Sequence, residues 1–350
     1  MTFMKKILLF SLSIFLLTAS FTESRSAGIL GLNHNEVNVY SYRQPYLIEP
    51  MLERFTEETG IKVNVLFAGK GLVDKMVQEG ENSPADVLLT VDIGRLSGAV
   101  NSGVTQSFQS GIVESNIPPQ YRDPNGHWVG LTARARVVYA SIDRVPENEI
   151  TYEELAGPKW KGRVCIRSGQ NAYNLALFSS LIAHHGEIET INWLRGLKAN
   201  LARTPQGNDR AQVKGIYSGE CDVSIGNTYY MAKMRTNEKE PEQKEWAASA
   251  KIIMPNANGR GTHMNLSGAV LAKHAPNAEN GIRLIEFLTQ DTAQAMYAGV
   301  NHEYPLKRNV GISDMVASFG ELNADTLDLI TIANGREMAS EMVDLVGFDE

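Results

Sequence analysis

The stretch EVNVYSYRQPYLIEPMLERFTEETGIKVNVLF, residues 36–67, decides the fold of this chain. Its first six residues, Glu36-Val-Asn-Val-Tyr-Ser, alternate polar and apolar side chains and predict a strand. Residues 47–59 place apolar side chains at helical spacing and stop at Gly60, which predicts an amphipathic helix. Residues 61–67 predict a second strand, so the stretch is a βαβ unit whose two strands run parallel.

The same alternation continues through the rest of the chain. It predicts strands over residues 85–91, 162–167, 221–225 and 268–272, and helices over residues 71–79, 174–185, 188–198, 229–237, 280–297 and from 323 onward. This order predicts an α/β protein in which mostly parallel sheets are flanked by helices on both faces.

Two segments, residues 131–140 and 254–267, have the character of crossings between lobes. Two crossings predict two discontinuous lobes around a cleft. Residues 28–131 with 263–315 would form the N-terminal lobe, and residues 132–262 with 316–350 the C-terminal lobe.

The first 27 residues have the pattern of a signal peptide. Lys5 and Lys6 precede the apolar run 7–17, and small residues lead to Ala27, where cleavage is expected. The apolar run is too short to favour a spanning helix, and no later segment is long and apolar enough. We therefore expect an exported mature protein that is not itself embedded in the membrane.

Charge and cysteine content narrow the choice of ligand. Residues 1–27 carry three basic side chains and one acidic one, so the formal net charge of −7 becomes −9 after their removal. An acidic protein is not expected to bind nucleic acid. Cys165 and Cys221 each lie in a strand-like run before a turn, and the sequence leaves open whether they form a disulfide or two buried thiols.

Tyr229 and Tyr230 stand side by side where a strand gives way to a Gly-Asn-Thr turn and a helix. In an open α/β sheet such turns meet ligands, and residues adjacent at a helix start are only about 100° apart, so both phenols can reach one ion. Tyr173 follows another such turn. Three phenolates would neutralise a ferric ion, the kind of polarising cation that deprotonates phenols near neutral pH. The alternative is that these tyrosines are packing aromatics with exposed hydroxyls.

A set of candidate anion-binding residues accompanies the tyrosines. Arg43 follows the first strand and Arg134 lies in the first crossing segment. Ser168 and Gly169 offer hydroxyl and amide donors at the start of a helix, an arrangement that binds anions. Asn208 lies in a further turn that could face the cleft.

The ordered motifs Val39-Tyr-Ser-Tyr-Arg-Gln, Arg134-Ala-Arg-Val-Val-Tyr, Asn192-Trp-Leu-Arg-Gly-Leu, Asn227-Thr-Tyr-Tyr and Glu303-Tyr-Pro-Leu resemble the periplasmic ferric iron-binding proteins of ABC uptake systems, relatives of the bacterial transferrins. The resemblance runs from about residue 36 to residue 307. It implies a two-lobed periplasmic binding protein of type II with Fe3+ in the cleft between the lobes.

The resemblance also implies roles for individual residues. Tyr173, Tyr229 and Tyr230 match iron ligands of the family. Arg134 matches the arginine that pairs with carbonate, and Ser168 with Gly169 matches the turn that holds a synergistic anion. The expected partner is an inner-membrane ABC permease, and the expected state is a monomer without enzymatic activity.

The first turn departs from the family pattern. Some members supply a His, or a His-Tyr pair, where this chain reads Gln44 and Pro45, and Tyr46 comes one residue late. We therefore expect three tyrosines with carbonate or water, and Arg43 as a supporting cation. Gln44 and Tyr46 are weaker candidates for the site.

Two other functions fit parts of the sequence. A binding protein of the same fold for a phosphonate or polycarboxylate would use Arg43, Arg134 and the Ser168 turn, with neutral tyrosines as donors. An exported hydrolase would need a nucleophile and a base, and the chain offers no convincing pair.

Overall fold

The computed structural model describes residues 35–350. The predicted leader and its cleavage near Ala27 lie outside the described residues. None of the helices within residues 35–350 combines the length and the apolar character needed to cross a bilayer.

The strands of this range, in chain order, are β1 (Glu36–Ser41), β2 (Lys62–Phe67), β3 (Val87–Thr90), β4 (Thr105–Gln106), β5 (Trp128–Ser141), β6 (Val164–Cys165), β7 (Val223–Asn227), β8 (Ala250–Ile253), β9 (Met264–Ala272) and β10 (Tyr304–Pro305). The helices are α1 (Pro45–Thr59), α2 (Leu72–Glu79), α3 (Ile93–Asn101), α4 (Gly111–Asn116), α5 (Ala172–His185), α6 (Glu187–Ala199), α7 (Asp209–Tyr217), α8 (Thr228–Arg235), α9 (Glu242–Ala248), α10 (Ala278–Thr289), α11 (Asp291–Gly299), α12 (Asp314–Ala317), α13 (Leu329–Asn334) and α14 (Arg336–Leu345).

The sheet has the order β2-β1-β3-β9-β5-β7-β6, with β4 beside β9 and with β8 and β10 beside β5. The pairs β1–β2, β1–β3 and β6–β7 are parallel, whereas β9 and β5 pair antiparallel with their neighbours. The sheet is therefore mixed, which corrects the expectation of mostly parallel sheets. Strands β1 and β2, which helix α1 connects, are parallel as the βαβ order predicts. Strands β5 and β9 have no such connection to their neighbours and run antiparallel to them.

Strand β5 belongs to both halves of the sheet. Its residues 128–135 pair with β9, and its residues 136–141 pair with β7 and β8. We call β1, β2, β3, β9 and their neighbours the first sheet half, and β6, β7 and β8 the second sheet half. The segment 131–140, predicted as a crossing, lies inside this one continuous and fully buried strand.

Each half has its own hydrophobic core. Helix α1 packs Ile48 and Phe55 against strand residues such as Val39 in the first half. In the second half Phe178 and Trp160 share a cluster with strand residues of β6 and β7. Cys165 and Cys221 form a disulfide, which settles the alternative that the sequence left open and ties β6 to the segment before β7.

Two element boundaries matter for the site. Helix α1 begins at Pro45 instead of residue 47, since proline is well accommodated at the first helical position. Tyr46 therefore belongs to the first turn of α1. Helix α8 begins at Thr228 directly after β7, so Tyr229 and Tyr230 are its second and third residues.

Candidate metal centre

A cavity of about 280 Å³ lies where the two sheet halves meet. Four tyrosines, Tyr42 among them, and four arginines with buried or half-buried side chains face it. The wall includes Arg43, Gln44, Arg95, Arg134, Arg167, Asn171, Tyr173, Tyr229, Tyr230, Ser267 and Glu303.

The structure brings the three predicted tyrosines together on this cavity. Tyr229 and Tyr230 are only 3% and 5% exposed, and their ring centroids are 4.2 Å apart with the planes tilted by 33°. Tyr173 is the second residue of α5, whose start is capped by Asn171 through its side-chain oxygen and the Tyr173 amide at 3.0 Å. Two helix starts therefore aim three phenols at one space.

The phenols oppose one another's ionisation. Burial raises the pKa of Tyr229 and of Tyr230 well above the ordinary value, and the neighbouring Tyr173 raises both further. Without a cation these groups are neutral. A phenol that is buried next to two others becomes a phenolate only when a strong positive charge takes the place of the proton.

Arg134 supplies hydrogen-bond donors beside the phenols. It is 2% exposed, and its Nη1 donates to the Ser267 hydroxyl at 2.7 Å. Its Nε and Nη2 are buried and have no protein partner. Because an unpaired buried guanidinium donor is costly, these two groups favour an anion in the cavity. The guanidinium also lies 5.4 Å from the centre of the Tyr173 ring.

Arg43 comes from the turn after β1 and is only 3% exposed. It donates to Ser267 at 2.5 Å and forms an ion pair with Glu303 at 2.7 Å. Although burial opposes the charge, the Glu303 carboxylate raises the pKa of Arg43 above its ordinary value. We call the cavity residues of the first sheet half the first wall, and those of the second sheet half the second wall. Arg43 belongs to the first wall, and Glu303 neutralises its charge.

The second wall has an ion cluster that sequence reasoning did not assign. Asp209 accepts from Arg136 at 2.6 Å, from Arg167, and from the backbone amide of Asn227 at 3.1 Å. Although burial opposes its charge, the two arginines lower the pKa of Asp209. The cluster holds the residue directly before α8 and leaves two positive charges against one negative charge. Arg134 and Arg136 alternate along β5, so the period of a strand could have indicated that both share one face.

Ser168 and Gly169 require a correction, because neither lines the cavity. The Ser168 hydroxyl and the Gly169 amide donate to the Asp349 carboxylate at 2.6 and 2.7 Å. The turn does hold an anion, but that anion is the side chain of the penultimate residue. Gly169 has no room for a Cβ, which would lie 2.9 Å from the Phe348 ring, so the C-terminal segment fits closely here.

The three weaker candidates have different places. Gln44 is exposed and lines the cavity as the residue before α1. Tyr46 is 40% exposed and does not line it. Asn208 is an exposed cap of α7, and its side chain accepts from the Ala211 amide at 3.1 Å, so it is a structural residue outside the cavity.

The donors of this cavity are of one chemical kind. Within residues 35–350 no group of three or more His, Cys, Asp or Glu side chains is arranged to hold a metal ion. The possible ligands are the hard oxygens of Tyr173, Tyr229 and Tyr230, with Glu303 engaged by Arg43. Hard anionic oxygens beside anion-binding donors suit a small, highly charged cation with an accompanying anion.

Two sheet halves that face a cavity of converging donors define a two-lobed binding protein of the type II periplasmic fold. The chain belongs to the bacterial extracellular solute-binding protein family, whose pattern matches residues 82–319.

Individual relatives agree with this assignment. Iron uptake protein A1 of Synechocystis is 46% identical over 316 residues, which cover 89% of this chain and 87% of that protein. The apo ferric ion-binding protein A of Pasteurella haemolytica is 54% identical, with a TM-score of 0.87 over 90% of this chain and 99% of that one. A Trichodesmium protein in complex with iron and citrate is 38% identical, with a TM-score of 0.84 over 89% of this chain and 99% of that one.

Proposed function

We propose that this protein is the periplasmic component of an ABC iron transporter and that it captures ferric iron in the cavity. The observation that carries the proposal is the convergence of Tyr173, Tyr229 and Tyr230 on one space beside unpartnered Arg134 donors. The names of the relatives support it, since they describe iron uptake and ferric ion-binding proteins.

The charges of the site fit this cargo. Three phenolates balance the charge of Fe3+, and a synergistic anion completes the coordination. Arg134 binds that anion through its free Nε and Nη2. Carbonate and a polycarboxylate such as citrate have the same oxygen chemistry, and both are within the class that a guanidinium recognises. Arg43, the supporting cation expected from the sequence, stays charged in its ion pair with Glu303 on the first wall.

Binding releases protons. Tyr229 and Tyr230 are neutral before iron arrives, because burial and their neighbours raise their pKa values. Three phenols that bind one ion give up about three protons, so affinity falls by up to about three powers of ten per pH unit as pH decreases. Closure of the two lobes removes water and strengthens each contact, and opening at the permease releases the ion.

The cellular setting follows from the family and the sequence. The leader before Ala27 directs export, and the mature protein acts as a periplasmic monomer that docks on an inner-membrane ABC permease. The lobes are residues 28–131 with 263–315 and residues 132–262 with 316–350. The role is transport without catalysis.

Visible absorption tests the proposal. Ferric citrate added to the purified protein should give a red-orange band from charge transfer between tyrosinate and iron. Tyr229→Phe and Tyr173→Phe should weaken the band and shift its maximum. Tyr217→Phe is the matched control, because Tyr217 is 48% exposed and bonds Glu245 away from the cavity.

A colourless wild-type protein would refute the iron proposal. Calorimetry with a phosphonate and with citrate alone would then decide whether the cavity binds an anion without metal. For the anion in the iron complex, loading with bicarbonate and with citrate separately should give complexes that Arg134→Gln weakens at least about tenfold.

A further inference from the structure

Tyr46 lies at the rim of the cavity and contacts the opposite wall. It belongs to the first turn of α1 in the first sheet half, and its ring does not line the cavity. Its hydroxyl accepts a hydrogen bond from Arg210 Nη2 at 3.2 Å, and Lys233 Nζ lies 5.5 Å from the centre of its ring. Both basic residues belong to helices, α7 and α8, that pack on the second sheet half.

Arg210 also contacts a cavity phenol. Its guanidinium carbon lies 5.2 Å from the centre of the Tyr230 ring, and its Nε is buried without a partner. One side chain therefore joins Tyr230 of the second wall to Tyr46 of the first. The Tyr230 ring face attracts the Arg210 guanidinium, and the Tyr46 hydroxyl accepts its hydrogen bond.

A second contact spans the same rim. Lys233 lies one helical turn after Tyr229 and Tyr230, and its Nζ donates to the Val300 carbonyl at 2.7 Å. Val300 follows α11, whose Tyr297 belongs to the hydrophobic core of the first half. The Arg210–Tyr46 and Lys233–Val300 hydrogen bonds must both break before the two walls can separate at this rim.

We propose that Tyr46, Arg210 and Lys233 form a latch across the mouth of the cavity, and that the latch sets the rate at which the cargo leaves. Tyr46 is then a positioning residue that acts through Arg210 on Tyr230, and it is not a ligand. This inference rests on the proposed iron function. It gives the turn after β1 a role in retaining the cargo. In this turn the sequence departs from the family members that supply an iron ligand there.

Iron release tests the latch directly. Iron-loaded protein is mixed with excess EDTA, and the decay of the visible band gives the release rate. Tyr46→Ala should speed release about tenfold because it removes the hydroxyl and the ring, whereas Tyr46→Phe should speed it about threefold because the ring stays. The amplitude and position of the band and the rate of iron uptake should match the wild type.

The basic partner gives an independent arm of the same experiment. Arg210→Gln should speed release about as much as Tyr46→Ala, and Arg210→Lys should restore part of the retention. The double variant should speed release by less than the product of the two single effects, because both substitutions remove the same Arg210–Tyr46 hydrogen bond. Tyr217→Ala and Arg54→Gln, both exposed and away from the cavity, should leave the rate unchanged.

The outcomes separate the latch from coordination and from the function itself. An unchanged release rate in Tyr46→Ala overturns the latch. A band that loses about a third of its amplitude in Tyr46→Phe makes Tyr46 a ligand and also overturns it. A wild-type protein without any band refutes the iron function, and the latch with it, whereas a normal band with unchanged release refutes the latch alone.

Discussion

The two walls of the cavity are built from the same parts and differ in what they present. Each wall contains a buried arginine paired with a buried carboxylate, Arg43 with Glu303 in the first and Arg136 with Asp209 in the second. The three converging phenols lie on the second wall, whereas the first wall contributes Tyr42, whose hydroxyl accepts from the Val73 amide at 3.0 Å. Helix α1 also starts at the cavity, as α8 does, yet the residues at its start are Gln44, Pro45 and Tyr46.

The two walls pair their charges differently. On the first wall Glu303 neutralises Arg43, and Arg95, which also lines the cavity, lies 3.6 Å from the Asp92 carboxylate. Asp209 faces both Arg136 and Arg167, so the second wall keeps a surplus positive charge beside its phenols. A surplus of positive charge favours phenolate over phenol. Arg134 lowers the pKa of Tyr229 and Arg167 lowers that of Tyr230, but burial outweighs both, so the proposed ligands become charged only when the cation is bound.

The largest difference between the two walls is expected in ferric affinity, when one residue of each wall is substituted in turn. Tyr230→Phe removes an ionisable oxygen from the cavity and should weaken ferric binding more than about hundredfold. Loss of a residue that only supports a ligand costs up to about hundredfold in metal affinity. Gln44→Ala should change affinity by less than about threefold, since Gln44 is exposed and has no ionisable oxygen. Competition against a chelator at fixed pH measures both, and equal losses would contradict the division between the walls.

Removal of the carboxylate from each wall should give the next contrast, in stability. Asp209→Asn leaves the buried Arg136 and the half-buried Arg167 with an uncharged partner and should lower the free energy of unfolding by about 4 kcal/mol. Glu303→Gln leaves one and should lower it by about 3 kcal/mol. Urea unfolding measures the difference. Glu57→Gln, which breaks an exposed pair with Arg54, should stay within about 0.5 kcal/mol. A larger loss in Glu303→Gln would reverse the order of the walls.

The buried side chain of His263 should make stability depend on pH. Burial first, and then Arg136 and Arg134, lower the pKa of His263 to about 3. The unfolded chain takes up this proton near pH 6.5, while the folded protein resists it until about pH 3. The stability that neutral His263 contributes is therefore complete above pH 6.5 and is lost progressively as pH falls from 6.5 towards 3.

The variant His263→Leu removes that dependence. Between pH 7.5 and pH 5.0 the wild type should lose about 2 kcal/mol more of its unfolding free energy than the variant does. Urea midpoints at the two pH values, with His274→Leu as a control outside the cluster, give the comparison. Parallel losses in the wild type and in His263→Leu would show that the folded and unfolded states hold this proton equally.

The sequence predicts the local parts of this molecule well. The strand, helix and strand of residues 36–67 follow from side-chain periodicity, and β1 and β2 lie within one residue of their predicted bounds. Tyr229 and Tyr230 meet one cavity because covalent adjacency at a helix start fixes their relation. The direction of β5 and β9 could not be predicted from the sequence, because no local pattern indicates whether a strand pairs parallel or antiparallel.

The distant partners could not be predicted from a single sequence. Arg43 and Glu303 are separated by 260 positions, and Ser168 and Asp349 by 181. Each member of such a pair has the same local pattern as a solvated charge or a capped turn. Burial of the arginine is what requires an acid nearby, and burial becomes known only with the fold.

The smallest expected effect concerns the turn that was predicted to hold the synergistic anion. Asp349→Ala leaves the Ser168 hydroxyl and the Gly169 amide without their acceptor and should lower the free energy of unfolding by about 1 kcal/mol. Ferric affinity should stay within about threefold, because the proposed anion site is at Arg134 instead. Inorganic phosphate added to the variant should restore part of the lost stability, since the helix start of α5 then holds an external anion. If Asp349→Ala instead weakens iron binding as strongly as Arg134→Gln while its stability is unchanged, the turn belongs to the metal centre, and the second wall extends as far as the C-terminus.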